Sequence, residues 1–496
     1  MRHAVQTEAT TTTWPAAPVP AAAAPALAEP VPARTSQTRP DQTRAASAAQ
    51  AAQAQPVTAW PARSELDLVD PARWPDVAAV PSDRARTAIA RAVFAHAAGR
   101  LPIQVRLPGG KRIGAGGPGT PEMVLHRPAD FFARIGAGSL IGFGESYMAG
   151  DWDCADLTGL ITVFADQVST LVPPPLQRLR RLAVRRAPAA VDGSEAGARR
   201  NIPHHYDLSN ELFALFLDET MTYSAALFET SPTAPASPGK PGLAAPGPVA
   251  ARPGDADSVL AAAQRRKIDR LLDLARVGPD SRVLEIGTGW GELAIRAAAR
   301  GATVRTITLA EQQQSLAVRR VNEAGLAGRV SVELRDYRQV EGRYDAIVSA
   351  EMVEAVGERY WPAYVTALDR LLAPGGRIAL QAITMPHDRL LATRDTFTWI
   401  LKYIFPGGLI PSVTAIEENL ARHTSLRVTQ RFDFGPHYAQ TLRIWRERFC
   451  ARRDDVLGLG FDEVFCRMWL LYLCYSEAGF GSSYLDVCHL LLERDR

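Results

Sequence analysis

The sequence predicts an α/β protein in which a doubly wound parallel sheet follows a small α+β domain. Two observations lead to this prediction. From residue 282 onward, apolar strand patterns alternate with helical ones, which is typical of a parallel sheet with helices on both faces. The first of these strands also runs straight into a glycine-rich turn, LEIGTGWGE at 284–292. With right-handed crossovers, the ligand site of such a sheet lies at the carboxyl ends of its strands.

The N-terminal part of the chain divides into a low-complexity tail and a small domain. Residues 1–60 are dominated by Ala, Pro, Thr and Gln, and such a segment buries too little apolar area to offset the entropy of ordering it. We therefore expect a disordered tail. Residues 82–171 are predicted to form a small α+β domain. Its predicted elements are the helix Asp83–Ala98, the strands Ile103–Leu107 and Glu122–His126, the helix Pro128–Ala137 and a Gly- and aromatic-rich loop at Gly142–Asp153.

Residues 172–200 join this domain to the rest of the chain and are predicted to contain a basic linker helix. Five arginines lie among leucines and valines between Pro173 and Pro188. A basic amphipathic helix of this kind can lie on an anionic membrane surface, or it can be a solvated connection between domains. The sequence favours the second interpretation without excluding the first.

The second domain is predicted to span residues 201–496, with a flexible insertion rich in Pro, Ala and Gly at 231–255. Beyond the insertion, strands and helices alternate. The predicted strands are Arg282–Ile286, Thr303–Thr308, Val330–Arg335, Ala346–Ala350 and Arg377–Ile383, and the predicted helices are Leu293–Arg300, Ala310–Ala324 and Tyr360–Leu372.

Bulk composition limits the classes of function. The net charge of +3 is too small to indicate a nucleic-acid partner. The five cysteines are scattered without a CxxC pair, so we expect no metal site, no disulfide framework and a reducing compartment. The chain has no apolar run of the roughly 18 residues that a membrane-spanning helix needs, and its Ala-rich stretch at 16–28 is too interrupted by Pro for a signal peptide. We expect a cytoplasmic protein whose membrane contact is peripheral.

The glycine-rich turn after the first of the alternating strands is the strongest indication of a ligand. Gly287, Gly289 and Gly291 allow the open dihedral angles and the close approach that a bound ligand requires, and the helix that follows offers unpaired N–H groups. NAD enzymes use the spacing G-x-G-x-x-G and an acidic residue at the end of the next strand, where this chain has Thr308. The carboxylate of Glu285, just before the turn, suits a cationic amino acid better than a pyrophosphate. We therefore predict S-adenosylmethionine as the cofactor.

Seven stretches of the chain match one family in order. They are His204–Asn210 (HHYDLSN), Leu217–Ser224 (LDETMTYS), Leu284–Glu292 (LEIGTGWGE), Thr308–Gln313 (TLAEQQ), Ile347–Gly357 (IVSAEMVEAVG), Tyr403–Ser412 (YIFPGGLIPS) and Phe434–Phe449 (FGPHYAQTLRIWRERF). By these motifs the chain resembles the cyclopropane-fatty-acyl-phospholipid synthases and the related mycolic-acid and fatty-acid methyltransferases. The resemblance covers residues 200–490, and the Gly142–Asp153 segment extends it back to Ser82. It implies the doubly wound, seven-stranded sheet of class I methyltransferases.

The resemblance also implies which residues contact S-adenosylmethionine. They are Tyr223, Ser224, Gly287, Gly289, Gly291, the segment Thr308–Gln313, and Asp336 and Tyr337 beside the adenine. Glu285 belongs with them by its position before the glycines.

The reaction that the resemblance implies is the methylation of a double bond in an unsaturated fatty acyl chain. Such a bond is a weak nucleophile and must be held in line with the sulfonium methyl group, about 3 Å away. The attack leaves a carbocation, which a dry pocket and aromatic faces stabilise. The aromatic candidates are Phe397, Trp399, Tyr403, Phe405, Tyr438 and Trp445. For most of them an ordinary core position is the favoured interpretation, and Tyr438 is the exception.

A base must then remove a proton, and in the family that the chain resembles a bound bicarbonate does so. Its binding positions correspond to Glu354, Tyr438 and the main chain of Ile383. Two positions depart from the cyclopropane synthase pattern: Ala225 replaces a cysteine and Gln381 replaces a histidine. Glutamine donates a hydrogen bond to an anion but carries no proton.

Further residues near these departures bear on the product. His387, six residues after Gln381, is a candidate substitute for the lost histidine. The favoured interpretation, however, is that His387 is a solvated loop residue. Ser476 stands where the family has a cysteine, with Cys474 two residues away. The product is therefore left open. Proton loss from the new methyl group closes a cyclopropane ring, and loss from a neighbouring carbon leaves a methyl or methylene branch.

Two other classes of function stay open. A small-molecule C- or N-methyltransferase shares the glycine-rich turn but has no need of HHYDLSN or YIFPGGLIPS, and a non-catalytic lipid-binding protein could keep a vestigial cofactor fold. The expected partners are unsaturated phospholipid acyl chains at a membrane surface, without nucleic acid. The sequence leaves open a homodimer and a partner reductase that saturates a methylene product.

Overall fold

The structure is a computed structural model that describes residues 69–167, 209–229 and 255–494. Four predicted features lie outside these ranges: the tail 1–60, the basic linker 172–200, most of the HHYDLSN motif, and the insertion 231–255 apart from Asp255. They stay predictions, as does the division of the chain into domains.

Residues 69–167 form a small four-stranded sheet with accompanying helices. The helices are α1 (Pro75–Ala78), α2 (Arg84–Ala98), α3 (Pro128–Gly138), α4 (Leu140–Ala149) and α5 (Leu157–Asp166), and the strands are β1 (Gln104–Arg106), β2 (Arg112–Ile113), β3 (Glu122–Leu125) and β4 (Trp152–Cys154). The strand order is β2-β1-β3-β4, in which β1 and β3 are parallel and the other neighbouring pairs are antiparallel. Helix α2 begins after Asp83, whose side chain accepts the N–H of Arg86 as an N-cap.

The prediction of a loop at Gly142–Asp153 is wrong, because helix α4 and strand β4 occupy most of this segment. Its glycines serve close packing. A Cβ atom on Gly142 would lie 1.9 Å from the carbonyl oxygen of Arg134, and one on Gly144 would lie 2.3 Å from the indole ring of Trp399. Only glycine allows these approaches, and the packing offsets the low helix propensity that made the segment look like a loop.

The rest of the described chain forms a seven-stranded sheet and its helices. The strands are β5 (Arg282–Ile286), β6 (Thr303–Thr308), β7 (Val330–Leu334), β8 (Tyr344–Ala350), β9 (Leu372–Thr384), β10 (Leu426–Asp433) and β11 (Asp486–Arg494). The helices are α6 (Asn210–Phe216), α7 (Asp255–Leu274), α8 (Glu292–Ala299), α9 (Glu311–Glu323), α10 (Val353–Val356), α11 (Trp361–Leu371), α12 (His387–Thr393), α13 (Trp399–Tyr403), α14 (Val413–His423), α15 (Gly435–Ala451), α16 (Arg453–Gly458) and α17 (Glu463–Gly481). Within the three described ranges, no helix combines the length and the apolar character needed to cross a bilayer.

The strand order of the large sheet is β10-β11-β9-β8-β5-β6-β7. Strands β5 to β9 are parallel, as predicted, whereas β11 lies antiparallel to β9 and β10 lies antiparallel to β11. The sequence pattern does not predict these last two strands. The chain proceeds from β5 outward to β7 and then returns to β8 on the other side of β5. A ligand crevice is expected beside β5 and β8, where the order reverses.

Alternate residues of the central strands enter two separate apolar cores. Leu284 and Ile347 pack with the apolar face of α11, whereas their neighbours Val283 and Val348 pack with residues of α7 and α8. A strand that is buried on both faces is apolar throughout, as these are, because successive side chains point to opposite sides of the sheet.

Arg467 of α17 connects the second part of the chain to the N-terminal part. Its guanidinium, 1% exposed, donates to the carbonyl oxygens of Tyr147 at 2.6 Å and Trp152 at 2.9 Å, and it pairs with Asp153 at 2.7 Å. A buried guanidinium needs several acceptors, and here all three come from the N-terminal part. These bonds hold α4 and β4 against the second part of the chain.

Candidate active site

Strand β5 ends in the glycine-rich turn. Gly287, Gly289 and Gly291 have φ angles of +99°, +51° and +91°, a region that glycine adopts without strain. A Cβ atom on Gly287 would lie 2.8 Å from the sulfur of Met352, while one on Gly289 would meet no atom within 4 Å. Helix α8 then begins at Glu292. The turn presents an open backbone and a helix N-terminus to the cavity beside it.

Glu285 lies just before this turn and is 3% exposed. Burial raises the pKa of its carboxyl group to about 8. The residue lines the cavity, and within the described ranges its Oε2 atom has no hydrogen-bond partner. Because a buried, unpaired carboxylate oxygen is costly, a cationic ligand stabilises it. The position therefore fits the ammonium group of a bound amino acid such as the methionine part of S-adenosylmethionine.

The other residues predicted for the cofactor line the same cavity: Tyr223, Ser224, Thr308, Gln313, Asp336 and Tyr337. Several of them are held by hydrogen bonds. The hydroxyl of Thr308 donates to Gln313 at 2.9 Å, and the carboxylate of Asp336 pairs with Arg338 at 2.6 Å. Ser224 accepts a hydrogen bond from the ammonium group of Lys267 at 2.5 Å. Burial lowers the pKa of Lys267 to about 8.

A cavity of 990 Å³ connects these residues with the N-terminal helices. Its apolar lining comes from α2, α4 and α5 and from the segment around α13, and includes Phe94, Phe143, Phe164, Trp399, Phe405 and Leu409. Small-molecule sites usually enclose about 300–1,000 Å³. The volume therefore leaves room for an apolar acceptor beside a cofactor.

Three of the six aromatic residues considered for the carbocation line this cavity: Trp399, Phe405 and Tyr438. Others serve packing. Trp445 is fully buried and stacks on Tyr223 with ring centroids 5.2 Å apart, and Tyr403 donates its hydroxyl to Glu145. Only the three aromatic residues that line the cavity are therefore placed to stabilise a carbocation.

A second polar cluster lies where β8 ends, beside β9. The carboxylate of Glu351, directly after β8, accepts three hydrogen bonds. The donors are the main-chain N–H of Ala225 at 2.9 Å, Nε2 of Gln381 at 2.7 Å and the hydroxyl of Tyr438 at 2.8 Å. The side-chain oxygen of Gln381 in turn accepts from Nε2 of His489 at 2.9 Å. Four separate parts of the chain thus meet at one carboxylate.

The backbone of Glu351 is left-handed, with a φ angle of +55°. This conformation costs a non-glycine residue about 1 kcal/mol, and such strain concentrates at functional sites. The N–H of Glu351 donates to the carbonyl oxygen of Gln381 at 2.8 Å, which fixes the turn against β9. Burial raises the pKa of the Glu351 carboxyl group, while the three hydrogen bonds and the charge of Lys267 oppose this rise.

Glu354 lies three residues further on, in α10. Its carboxylate accepts the main-chain N–H of Ile383, and in the described part of the chain its Oε2 has no partner. Burial, together with the charge of Glu351, raises the pKa of Glu354 to about 8. The structure therefore brings together the four residues predicted for the base site: Glu354, Tyr438, Gln381 and Ile383.

Three polar residues of the site are not apparent from the sequence alone: Glu351, Lys267 and His489. A weak signal exists for His489, a polar residue in the apolar run of β11, whereas Lys267 lies in a helix with many charged residues and gives no such signal. A buried polar residue of this kind needs a partner and so points to a site. The signal for Glu351 is its place as the first glutamate of the EMVEAVG motif, three residues before Glu354.

The favoured interpretation of His387 as a solvated loop residue is wrong. It is half-buried at the start of α12, and its Nδ1 pairs with the hydroxyl of Ser412 at 2.8 Å. His489, not His387, contacts Gln381. Ser476 lines the cavity, whereas burial raises the pKa of the Cys474 thiol to about 12, which keeps it protonated.

Comparisons with known proteins identify the family of the chain. Residues 194–490 match the family described as mycolic acid cyclopropane synthetase. The chain is 54% identical over 430 residues to the tuberculostearic acid methyltransferase UfaA1 of Mycobacterium tuberculosis, a match that covers 86% of this chain and 96% of that one. It is 30% identical over 377 residues to the cyclopropane-fatty-acyl-phospholipid synthase of Escherichia coli K12, covering 75% and 88% of the two chains.

Solved structures show the same fold. The cyclopropane synthase MmaA2 of Mycobacterium tuberculosis has a TM-score of 0.50 at 28% identity, covering 59% of this chain and 97% of its own. The mycolic acid cyclopropane synthase CmaA1, complexed with SAH and CTAB, has a TM-score of 0.51 at 27% identity, covering 60% and 98%. The predicted class I methyltransferase sheet is thereby confirmed. This chain belongs to the mycolic acid cyclopropane synthetase family and is an S-adenosylmethionine-dependent methyltransferase that acts on lipids.

Proposed function

We propose that this enzyme methylates the double bond of an unsaturated phospholipid acyl chain and that the product carries a methylene branch. The observation behind this proposal is that one largely apolar cavity is lined both by the glycine-rich turn and by Glu351. An acyl chain fills such a volume favourably because it buries apolar surface. The cofactor, the double bond and a carboxylate then meet in the same place.

When bound, S-adenosylmethionine supplies an electrophilic methyl group. The chain's own residues do the rest. Glu285 holds the ammonium end of the cofactor, and the apolar lining excludes the water that would otherwise capture a carbocation. Tyr438 lines the cavity, and we assign its aromatic ring to the stabilisation of that charge.

Two observations favour a methylene branch over a ring. The relative with 54% identity is named a tuberculostearic acid methyltransferase and not a cyclopropane synthase, whereas the cyclopropane-fatty-acyl-phospholipid synthase shares 30%. The base site also departs from the cyclopropane pattern at Ala225 and Gln381, and both residues donate to Glu351. A cyclopropane ring is the second candidate product, since it needs the same cofactor and the same double bond.

The size and lining of the cavity weigh against a small-molecule C- or N-methyltransferase, which has no need of an apolar space that reaches α2 and α5. We infer that the acyl chain is presented by phospholipid and that the enzyme touches the membrane peripherally, with the basic segment 172–200 as the candidate contact. A methylene product is what a partner reductase would saturate. The homodimer stays a prediction.

The proposal is tested by expression in a bacterial host that makes unsaturated phospholipids but no cyclopropane acids. Mass spectrometry of the lipids should show acyl chains that have gained one CH₂ unit, absent from the same host with an empty vector. Ozone should then cleave the new product to a ketone, because it attacks a methylene branch and leaves a cyclopropane intact. If no acyl chain gains a carbon, the proposed function is wrong.

A further inference from the structure

The carboxylate of Glu351 is held in the way that a bound anion is held. Donors on three separate parts of the chain converge on it, from Ala225, Gln381 and Tyr438, at 2.7 to 2.9 Å. An ionised carboxylate only accepts hydrogen bonds, and bonds to a charged acceptor are about twice as strong as neutral ones. The donor set therefore fits an anion, and the chain supplies that anion itself as the ionised form of Glu351.

Two of these donors, the Tyr438 hydroxyl and the Gln381 amide, stand at the positions through which the family resemblance implies bicarbonate binding. Bicarbonate is, like a carboxylate, a planar anion whose oxygens accept hydrogen bonds. It cannot take these donors while Glu351 holds them. A second anion in this buried cluster would also lie against the carboxylate of Glu351, and like charges repel strongly in a buried site. The residues present do not fit bicarbonate, which the family resemblance implies and which the departures at Ala225 and Gln381 leave open.

The two glutamates differ in their surroundings. Glu351 accepts hydrogen bonds from two side chains and one main-chain N–H and interacts with the ammonium charge of Lys267, whereas Glu354 accepts only from main-chain N–H groups. With burial, the charge of Glu351 raises the pKa of Glu354 to about 8. The hydrogen bonds and the charge of Lys267 therefore favour the ionised form more strongly at Glu351 than at Glu354.

We propose that Glu351 is the general base of the reaction and that it replaces a bound bicarbonate, so that turnover needs none. This inference rests on the proposed function. Glu351 lines the cavity next to Met352, which itself contacts the glycine-rich turn at Gly287. The carboxylate is thus placed beside the cofactor position, where the methylated carbon is formed.

The step balances without any further reactant. The electron pair of the double bond forms the bond to the methyl carbon as the carbon–sulfur bond breaks, and the neighbouring chain carbon becomes positive. A hydride shift from the methylated carbon moves the charge next to the new methyl group. Glu351 takes a proton from that methyl group, and the electron pair of the broken C–H bond becomes the double bond of the methylene branch. Without the hydride shift, the same proton loss closes a ring.

The test uses the purified full-length enzyme, S-adenosylmethionine and dioleoyl phosphatidylcholine vesicles, in buffer freed of carbon dioxide and in buffer with added bicarbonate. Glu351→Gln keeps the size of the side chain but cannot accept the proton. Glu351→Gly opens the position for an external anion, and glycine adopts a φ of +55° without strain. Glu417→Gln, at an exposed position of α14, is the matched control.

Wild type and Glu417→Gln should turn over equally in both buffers. Glu351→Gln should be slower by about 100-fold or more in both, the usual contribution of a general base. Glu351→Gly should be as slow without bicarbonate and should regain about tenfold or more with it. Calorimetry should show unchanged S-adenosylhomocysteine binding in every variant, which confirms that each one is folded.

Three results would overturn the inference: a wild-type enzyme that needs bicarbonate, an active Glu351→Gln variant, or a folded Glu351→Gly variant that ignores bicarbonate. These are distinct from failure of the proposed function, which would appear as a wild-type enzyme that forms no methylated acyl chain in either buffer.

Discussion

The hydroxyl of Tyr438 donates a hydrogen bond to Oε2 of Glu351 at 2.8 Å. Tyr438 lies in α15 and Glu351 follows β8, so 87 residues of sequence separate them. Because the bond favours the charged form of the carboxyl group, it helps to keep Glu351 ionised inside the protein. The bond connects Tyr438, which the family motifs indicate as a site residue, with Glu351, to which the motifs assign no role.

Tyr438→Phe should lower the fraction of Glu351 that is ionised at neutral pH. The variant keeps the ring, which packs on Phe480, but removes the hydroxyl, so the pKa of Glu351 should rise. Lys267 and Glu354, the other titratable groups that act on this carboxyl group, are unchanged. We expect kcat to fall by about tenfold or more and the acidic limb of its pH profile to move to higher pH.

The control for this variant is Tyr360→Phe, which lies outside the cavity lining and should leave kcat and its pH profile as in wild type. A Tyr438→Phe variant with an unshifted acidic limb would contradict the role of the hydroxyl.

Glu354→Gln should change how stability depends on pH. The pKa of Glu354 is raised from 4.5 to about 8 in the folded protein, so between these values the folded state holds a proton that the unfolded chain releases. Wild type therefore loses stability from this group as pH rises through that interval, whereas glutamine binds no proton. Thermal unfolding without cofactor should show that the melting temperature of the variant, relative to that of wild type, rises between about pH 5 and about pH 8. An equal difference at both pH values would show that Glu354 is ionised when folded.

Glu285→Gln should weaken cofactor binding. The variant keeps the shape of the buried side chain but removes the charge that faces the ammonium group of the ligand. Calorimetry should show the Kd for S-adenosylhomocysteine rising by about tenfold, the size expected for one charge-assisted hydrogen bond. Glu323→Gln, exposed at the end of α9, should bind as wild type does. A Kd for Glu285→Gln within twofold of wild type would remove Glu285 from the cofactor site.

Gly142→Ala should destabilise the protein although alanine is the better helix former. Its Cβ atom would lie 1.9 Å from the carbonyl oxygen of Arg134, so α3 and α4 would have to separate. Urea unfolding should show a loss of about 1–3 kcal/mol, the usual cost of overpacking. Gly458→Ala is the control, since that exposed helical position has nothing within 4 Å and should be neutral or slightly stabilising. Equal stability of the two variants would mean that the close approach is not required.

The cofactor end of the site is largely predictable from the sequence because its signals are local. Strand β5 and the turn from Gly287 to Gly291 are consecutive, and the strand period, the glycine spacing and the acidic Glu285 all lie within a few residues. The bounds of β5 and β6 agree with the predicted ones. The local sequence of β5 and the glycine-rich turn is therefore enough to predict this end of the site.

The base end is not predictable in the same way because it is assembled by the strand order. Gln381 and His489 are 108 residues apart and meet only because β9 and β11 pair antiparallel. The role of Glu351 depends on a left-handed backbone turn that the motif does not reveal. Gly144 is a similar case, since the contact that explains it is with Trp399, far away in sequence.

The most direct test of the account is to supply the purified wild-type enzyme with S-adenosylmethionine whose methyl group is fully deuterated, together with dioleoyl phosphatidylcholine vesicles, and to follow the label in the acyl chains. We predict that an acyl chain gains a CD₂ unit, because one deuteron leaves the transferred methyl group, and that ozone releases this unit as deuterated formaldehyde and leaves a ketone. Acyl chains without label would contradict methyl transfer to the double bond, and labelled chains that resist ozone would contradict the methylene branch.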